Sequence, residues 1–239
     1  MRQFIPYLFL LLTASFLYSC KSAKLSDAEE KQRIGEYFEA AAIYRKVYTK
    51  TPPAKRDLRG YIAFRMAECN RLINNTPRAT SAYMNALRYK YPDRIVNLRL
   101  GQMYQKSGRY GEAIKYYNDY LLGEPGSVLA FNGVTGSEEA VKWKQSPTRY
   151  TVKRMDKFNS RRSEFSPMLY GEKYDHLYFA STRTPKGAGK DKEETNSAIT
   201  GQRNNDFFLV KQDENGTWQA PVELEDEVNT EFDEGTPSF

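Results

Sequence analysis

Apolar and small residues recur at helical spacing between Leu98 and Pro125, in the run LRLGQMYQKSGRYGEAIKYYNDYLLGEP. At 3.6 residues per turn, Leu98, Gly101, Tyr104 and Gln105 share one face, and Ala113, Tyr117 and Tyr120 share a face of a following helix. Gly108 falls between them, where a helix ends most cheaply in a left-handed residue, and Pro125 stops the second helix. The pattern predicts two antiparallel helices that approach closely at Gly101 and Ala113, with tyrosines filling the groove beside them. The same arrangement is legible twice earlier. Between Lys24 and Lys50, Tyr37, Ala40, Tyr44 and Val47 stand where Tyr110, Ala113, Tyr117 and Tyr120 stand later, Gly35 matches Gly108, and Thr51-Pro52-Pro53 closes the element. Between Arg59 and Pro92 the series is Ala67, Asn70, Asn74, Ala79, Tyr83 and Ala86. Tyr44 to Tyr83 is 39 residues and Tyr83 to Tyr117 is 34, the longer interval being read as a linker inserted around Pro53–Arg59. A last helical pattern from Gly126 to Ser146 (Ala130, Val134, Ala140, Val141, Trp143) reads as a cap over the open end of a stack.

At Pro147 the period changes from helical to extended. Ser166–Tyr170 and His176–Ser181, joined by a turn over Gly171–Asp175, read as two antiparallel strands, and Asp206–Lys211 as a third. A tight turn at Asp213-Glu214-Asn215-Gly216 leads to a fourth over Thr217-Trp218 and Pro221–Leu224. Asn159-Ser160 and Glu164-Phe165-Ser166-Pro167 recur 70 residues on as Asn229-Thr230 and Glu234-Gly235-Thr236-Pro237, with the polar run Arg183–Asn205 as an insertion within the period.

The start of the chain is of another kind. Arg2, then the apolar stretches Phe4–Leu12 and Phe16-Leu17, make a targeting segment too short for a stable spanning helix. It ends Leu17-Tyr18-Ser19-Cys20, which resembles a bacterial lipobox; the resemblance implies lipidation of Cys20 and, with Lys21 following, an outer-membrane anchor on the periplasmic face.

Charge sharpens the division into two parts. Of a formal net +6, residues 21–150 carry 23 basic and 13 acidic side chains, a net of +10, and residues 151–239 carry 12 and 17, a net of −5. The basic residues are scattered over helical faces, which points away from nucleic acid. Two cysteines and one histidine leave no disulfide framework and no multi-histidine metal site. Cys69 reads as a small buried hydrophobe. His176 lacks a nucleophile at motif spacing. Thr184–Asp191 fails the phosphate-loop pattern at both ends, with Thr184 for glycine and Asp191 for Ser/Thr. The turn at Asp213 offers too few oxygens for calcium. No catalytic constellation, metal or cofactor is expected.

The spacing of Leu100-Gly101, Tyr104, Gly108, Tyr110, Ala113, Tyr117 and Pro125 resembles the tetratricopeptide repeat (TPR). The later pattern FSP…LYFAS.R…DFFLVK…G.W..P resembles the PD40 blades of TolB-like propellers. The fold expected is α+β in separate domains, a TPR-like α-solenoid followed by one antiparallel propeller-type blade of an incomplete propeller. The expected division is a signal peptide over 1–19, lipid attachment and tether over 20–23, helical array over 24–146, linker over 147–158, and the first blade with the start of a second over 159–239. The chain reads as the N-terminal fragment of a longer protein. Its domain order resembles the TPR–propeller–OmpA lipoproteins of type IX secretion systems, which implies a non-enzymatic scaffold tethering secretion or gliding machinery to the envelope, with peptidoglycan reached only through a missing C-terminal domain. Two alternatives stay open: a general peptidoglycan-associated envelope protein whose propeller binds a ligand, and the N-terminal part of a propeller hydrolase. The TPR resemblance implies a partner-binding groove formed by Tyr61, Glu68, Arg71, Gln102, Gln105 and Lys106, with Arg71 and Lys106 favouring acidic partners.

Overall fold

Helices begin where the sequence supplies the first apolar face, and the first helix of each pair ends where it supplies a left-handed residue. The computed structural model describes residues 23–184, 196–225 and 227–236. Among these, the helices are α1 (Leu25–Arg33), α2 (Tyr37–Lys50), α3 (Arg56–Leu72), α4 (Thr76–Arg88), α5 (Ile95–Lys106), α6 (Tyr110–Leu121) and α7 (Val128–Gln145). The strands are β1 (Glu164–Tyr170), β2 (His176–Ser181), β3 (Asp206–Lys211) and β4 (Val222–Glu223). The chain divides into two compact units, with the division at Val134/Thr135 inside α7.

In the helical unit, Gly35, Asn74 and Gly108 adopt φ of +87°, +62° and +72° just after α1, α3 and α5. The amide that follows each one bonds five residues back: Glu36 to Lys31 (2.9 Å), Asn75 to Asn70 (2.8 Å) and Arg109 to Tyr104 (2.9 Å). This is the Schellman closure, which satisfies the orphan carbonyls and turns the chain back on itself. Asn74 takes the glycine's role because asparagine tolerates the left-handed region better than other side chains.

The helix pairs α1–α2, α3–α4 and α5–α6 then pack on the positions the periodicity marked. Ala40, Ala79 and Ala113 are fully buried, as are Tyr44, Tyr83 and Tyr117. Gly101 is needed for close approach: a Cβ there would stand 2.6 Å from the Tyr117 ring, and one at Gly133 in α7 would collide with the same ring. Cys69 is buried with Ala40, Tyr44 and Ile62, as expected of a small hydrophobe. The anticipated linker is shorter than the sequence suggested. α3 starts at Arg56, and its 17 residues exceed the 12 of α5 by five, the same five by which the 39-residue interval exceeds the 34-residue one. The insertion lengthens a helix because each added residue there gains a backbone hydrogen bond, which a loop residue does not. In α7, Ala130 is buried and Val134 packs beside it, whereas Val141 and Trp143 are exposed.

The second unit holds a four-stranded antiparallel sheet in the order β1-β2-β3-β4. β2 and β3 have the bounds the sequence predicts. β1 begins two residues earlier, with a register shift between Phe165 and Met168 where Ser166 takes φ +52° before Pro167. The fourth strand is cut to Val222–Glu223, with Trp218 in an isolated bridge to Gln212. Pro221 has no N–H to continue the ladder. Phe158, Phe179, Phe208 and Val210 form the core of the sheet unit, with Leu177 and Trp218 against them. Asp213 makes the expected tight turn, its Oδ1 accepting from the amides of Asn215 (3.0 Å) and Thr217 (2.8 Å).

Candidate protein-interaction surface

The first helix of each pair carries the polar residues that the sequence marked. Helical geometry puts Tyr61, Glu68 and Arg71 within an arc of about 80° on α3, and Gln102, Gln105 and Lys106 within about 100° on α5. Each is hydrogen-bonded, in four separate groups. Tyr61 Oη donates to Glu29 Oε1 on α1 (2.7 Å). Glu68 accepts from Arg71 Nη2 (2.7 Å) and from the Tyr83 hydroxyl, and Arg99 Nε of α5 lies 3.3 Å from its Oε1 as an ionic neighbour. Arg99 Nη1 also donates to Gln102 Oε1 (3.0 Å). Lys106 Nζ donates to Asn74 Oδ1 in the turn after α3. Gln105 Oε1 accepts from Tyr117 Oη (2.7 Å), and its amide donates to the Gly133 carbonyl (3.5 Å).

The three buried tyrosines are thus held alike. Tyr44 donates to Gln32, Tyr83 to Glu68 and Tyr117 to Gln105, each acceptor lying on the first helix of the same pair. A buried hydroxyl needs such a partner, so Glu68 and Gln105 each commit an acceptor inside the array. Arg71 is half-buried and paired with Glu68, whereas Lys106 is exposed with its ammonium on the neutral Asn74 amide oxygen. Sequence reasoning did not single out Glu29 or Arg99, and it marked Asn74 only as a position of the repeat. The detectable signal is a spacing of 32 residues, slightly less than one repeat, which separates Glu29 from Tyr61 and Asn74 from Lys106.

Burial sets the protonation of this layer. It raises the Glu68 carboxyl, but the hydrogen bonds from Arg71 and Tyr83 and the charges of Arg71 and Arg99 outweigh it, leaving Glu68 below the ordinary carboxylate value. Burial and then the Glu29 hydrogen bond push Tyr61 to about 12; burial does the same to Tyr117, and to the Cys69 thiol despite nearby Arg65. The Cys69 thiol therefore stays protonated at neutral pH and is a poor nucleophile.

The other sequence-marked residues belong to other parts of the chain. Cys20 and positions 185–191 of the glycine-containing run lie outside the described residues. His176 is half-buried, its Nδ1 2.7 Å from Asp175 Oδ1. Among the described residues no helix is long and apolar enough to cross a membrane, and no group of three His, Cys, Asp or Glu side chains is placed to hold a metal ion.

Successive antiparallel helix pairs closed by the same turn, packed on the same alanine and tyrosine positions, make this a TPR-like helical fold with a small antiparallel sheet after it. No family model and no curated protein matches the chain. Among solved structures, two crystal structures of MamA align with 51% of this chain at 19% identity; one alignment covers 67% of that protein's chain with a TM-score of 0.42, the other 72% with a TM-score of 0.43.

Proposed function

We propose that this chain is a non-enzymatic protein-interaction scaffold of the bacterial envelope, anchored to the outer membrane through lipid on Cys20 and facing the periplasm. The repeated helix pairs carry the reading. They form a stacked array whose buried tyrosine hydroxyls are satisfied internally, leaving its long faces for partners. In this reading the partners belong to secretion or gliding machinery, type IX secretion being the system the domain order resembles, and the face of α3 and α5 bearing Tyr61 and Gln102 receives one of them. Peptidoglycan would be reached through a further domain.

The sheet is read as one blade of a propeller. What supports this is a hydrogen-bond pattern that repeats with the sequence. Ser160 N and Oγ donate to Glu164 (3.0 Å for the amide), and the Arg162 amide donates back to Ser160 Oγ (2.9 Å). Seventy residues on, Thr230 N and Oγ1 donate to Glu234 (2.7 Å each), and the Phe232 amide donates to Thr230 Oγ1 (3.2 Å). One local structure occurs twice at the period of the sequence repeat, as the opening of successive blades requires.

Metabolic labelling with palmitate tests the anchor: wild type is expected to take up label and fractionate with outer membrane, and Cys20→Ala to do neither. Photo-crosslinking from position 102 in intact cells then tests the partner by mass spectrometry. Equal labelling of Cys20→Ala overturns the anchored reading, and crosslinks confined to proteins outside the secretion and gliding machinery overturn the partner class.

A further inference from the structure

α3 has a second face. At about 100° per residue, Met66, Asn70 and Ile73 lie opposite Tyr61, Glu68 and Arg71. They line a groove of about 900 Å³ with residues of α2 and α4. Phe38, Met66 and Ile73 contribute apolar surface, and every charged residue lining the groove is basic, Lys50 joining Arg45 and Lys46 of α2 and Arg78 of α4. Arg45, Lys46 and Arg78 are exposed and have no acidic partner among the described residues. Asn70 is only 4% exposed; its side-chain amide donates to the Met66 carbonyl (2.8 Å), and its Oδ1 has no partner among the described residues.

We propose that this groove binds an acidic, amphipathic peptide segment of a partner protein. The apolar lining accepts its hydrophobic side chains, Arg45, Lys46 and Arg78 pair with its carboxylates, and Asn70 Oδ1 is an acceptor for a peptide N–H. The 14 residues of α2 give the groove a length of about 21 Å, suited to about four turns of helix. Charge complementarity selects the acidic partner. A bilayer surface fits less well, because Asn70 is buried between two helices, out of reach of a plane of headgroups. The sulfur and aromatic groups of Met66 and Phe38 likewise suit side chains better than a polar headgroup. This surface is separate from the one assigned above, so either assignment stands if the other fails.

The test uses the full chain in detergent and a fluorescein-labelled 14-residue peptide of glutamates with leucine at every fourth position, titrated by anisotropy. Saturable binding is expected, weakened about tenfold by Arg45→Glu with Arg78→Glu, weakened by salt, and unchanged by Gln102→Ala. Arg45→Ala with Arg78→Ala is the milder pair, should charge reversal disturb folding. Bound peptide is also expected to protect Lys46 from acetylation in wild type. Absence of saturable binding, unaltered affinity in both double variants that melt like wild type, or an equal loss with Gln102→Ala would each overturn the proposal. Loss of sedimentation with phosphatidylglycerol vesicles in the double variants, without peptide binding by wild type, would assign the groove to anionic lipid instead.

Discussion

Glu68 shows how one residue serves two masters. It is the acceptor for a buried tyrosine in the α3–α4 pair, where the neighbouring pairs use Gln32 and Gln105. It is also the carboxylate between Arg71 and Arg99. Its pKa is lowered in the folded protein, so its ionised form stabilises the fold above the unfolded value of about 4.3. That contribution is lost as pH falls through the lower folded value. Glu68→Gln keeps an acceptor for Tyr83 and removes the titration. The melting temperature of wild type is therefore expected to drop more steeply below about pH 4.5 than that of Glu68→Gln; parallel curves from pH 7 to pH 3 would contradict this. The buried tyrosines at 44, 83 and 117 were legible in the sequence because volume and period mark a core position. Their acceptors were not. Glutamine and glutamate are common on solvated faces, and a hydrogen bond reaching back 12 or 15 residues leaves no periodic trace.

Between elements, the close approach of α5, α6 and α7 depends on the absence of two methyl groups. The Tyr117 ring occupies the space that a Cβ of Gly101 would need. Gly101→Ala gains about 1 kcal/mol in helix propensity but forces the ring or the helix to move, an overpacking cost of about 1–3 kcal/mol. A net loss of stability is expected in urea denaturation. Gly111→Ala is the control, since nothing lies within 4 Å of its Cβ position; it is expected to match or exceed wild type, and equal gains in both variants would contradict the packing account. The glycine–tyrosine pairing was readable from the sequence, as were β2 and β3. The extra length of α3 was not, because an amphipathic face continues across Arg56–Arg59 without a marker that separates helix from linker. Nor was the shortness of β4, where apolar residues on both sides of Pro221 mask a ladder that the proline interrupts.

At the scale of the molecule, the two charge regimes in the sequence, +10 and −5, correspond broadly to two different kinds of secondary structure. Between α7 and β1 lies a stretch without regular elements in which Tyr150 and Val152 are 71% and 96% exposed. Exposed irregular backbone is the preferred site of proteolysis, and Arg149, Lys153 and Arg154 offer trypsin cleavage positions there. Limited trypsinolysis is expected to release a resistant helical fragment ending near Arg149. A protected species that retains this segment and runs through β3 would contradict the expectation. The end of the helical pattern at Gln145 was legible from the change of period at Pro147, since helical and extended patterns cannot overlap in one run of residues; the division of the two units at Val134/Thr135, inside a helix, left no such mark.

Asn229 gives the sheet a dependence on the order of synthesis. Its Oδ1 accepts from the Phe207 amide (2.7 Å), and its Nδ2 donates to the carbonyls of Phe207 (3.1 Å) and Leu224 (3.0 Å). A single side chain thereby takes the place of a strand residue just where β4 ends. Each helix pair holds its own tyrosine acceptor and is complete once its second helix has emerged from the ribosome. The sheet waits longer: all four strands leave before the residue that fastens the end of β3 has been added.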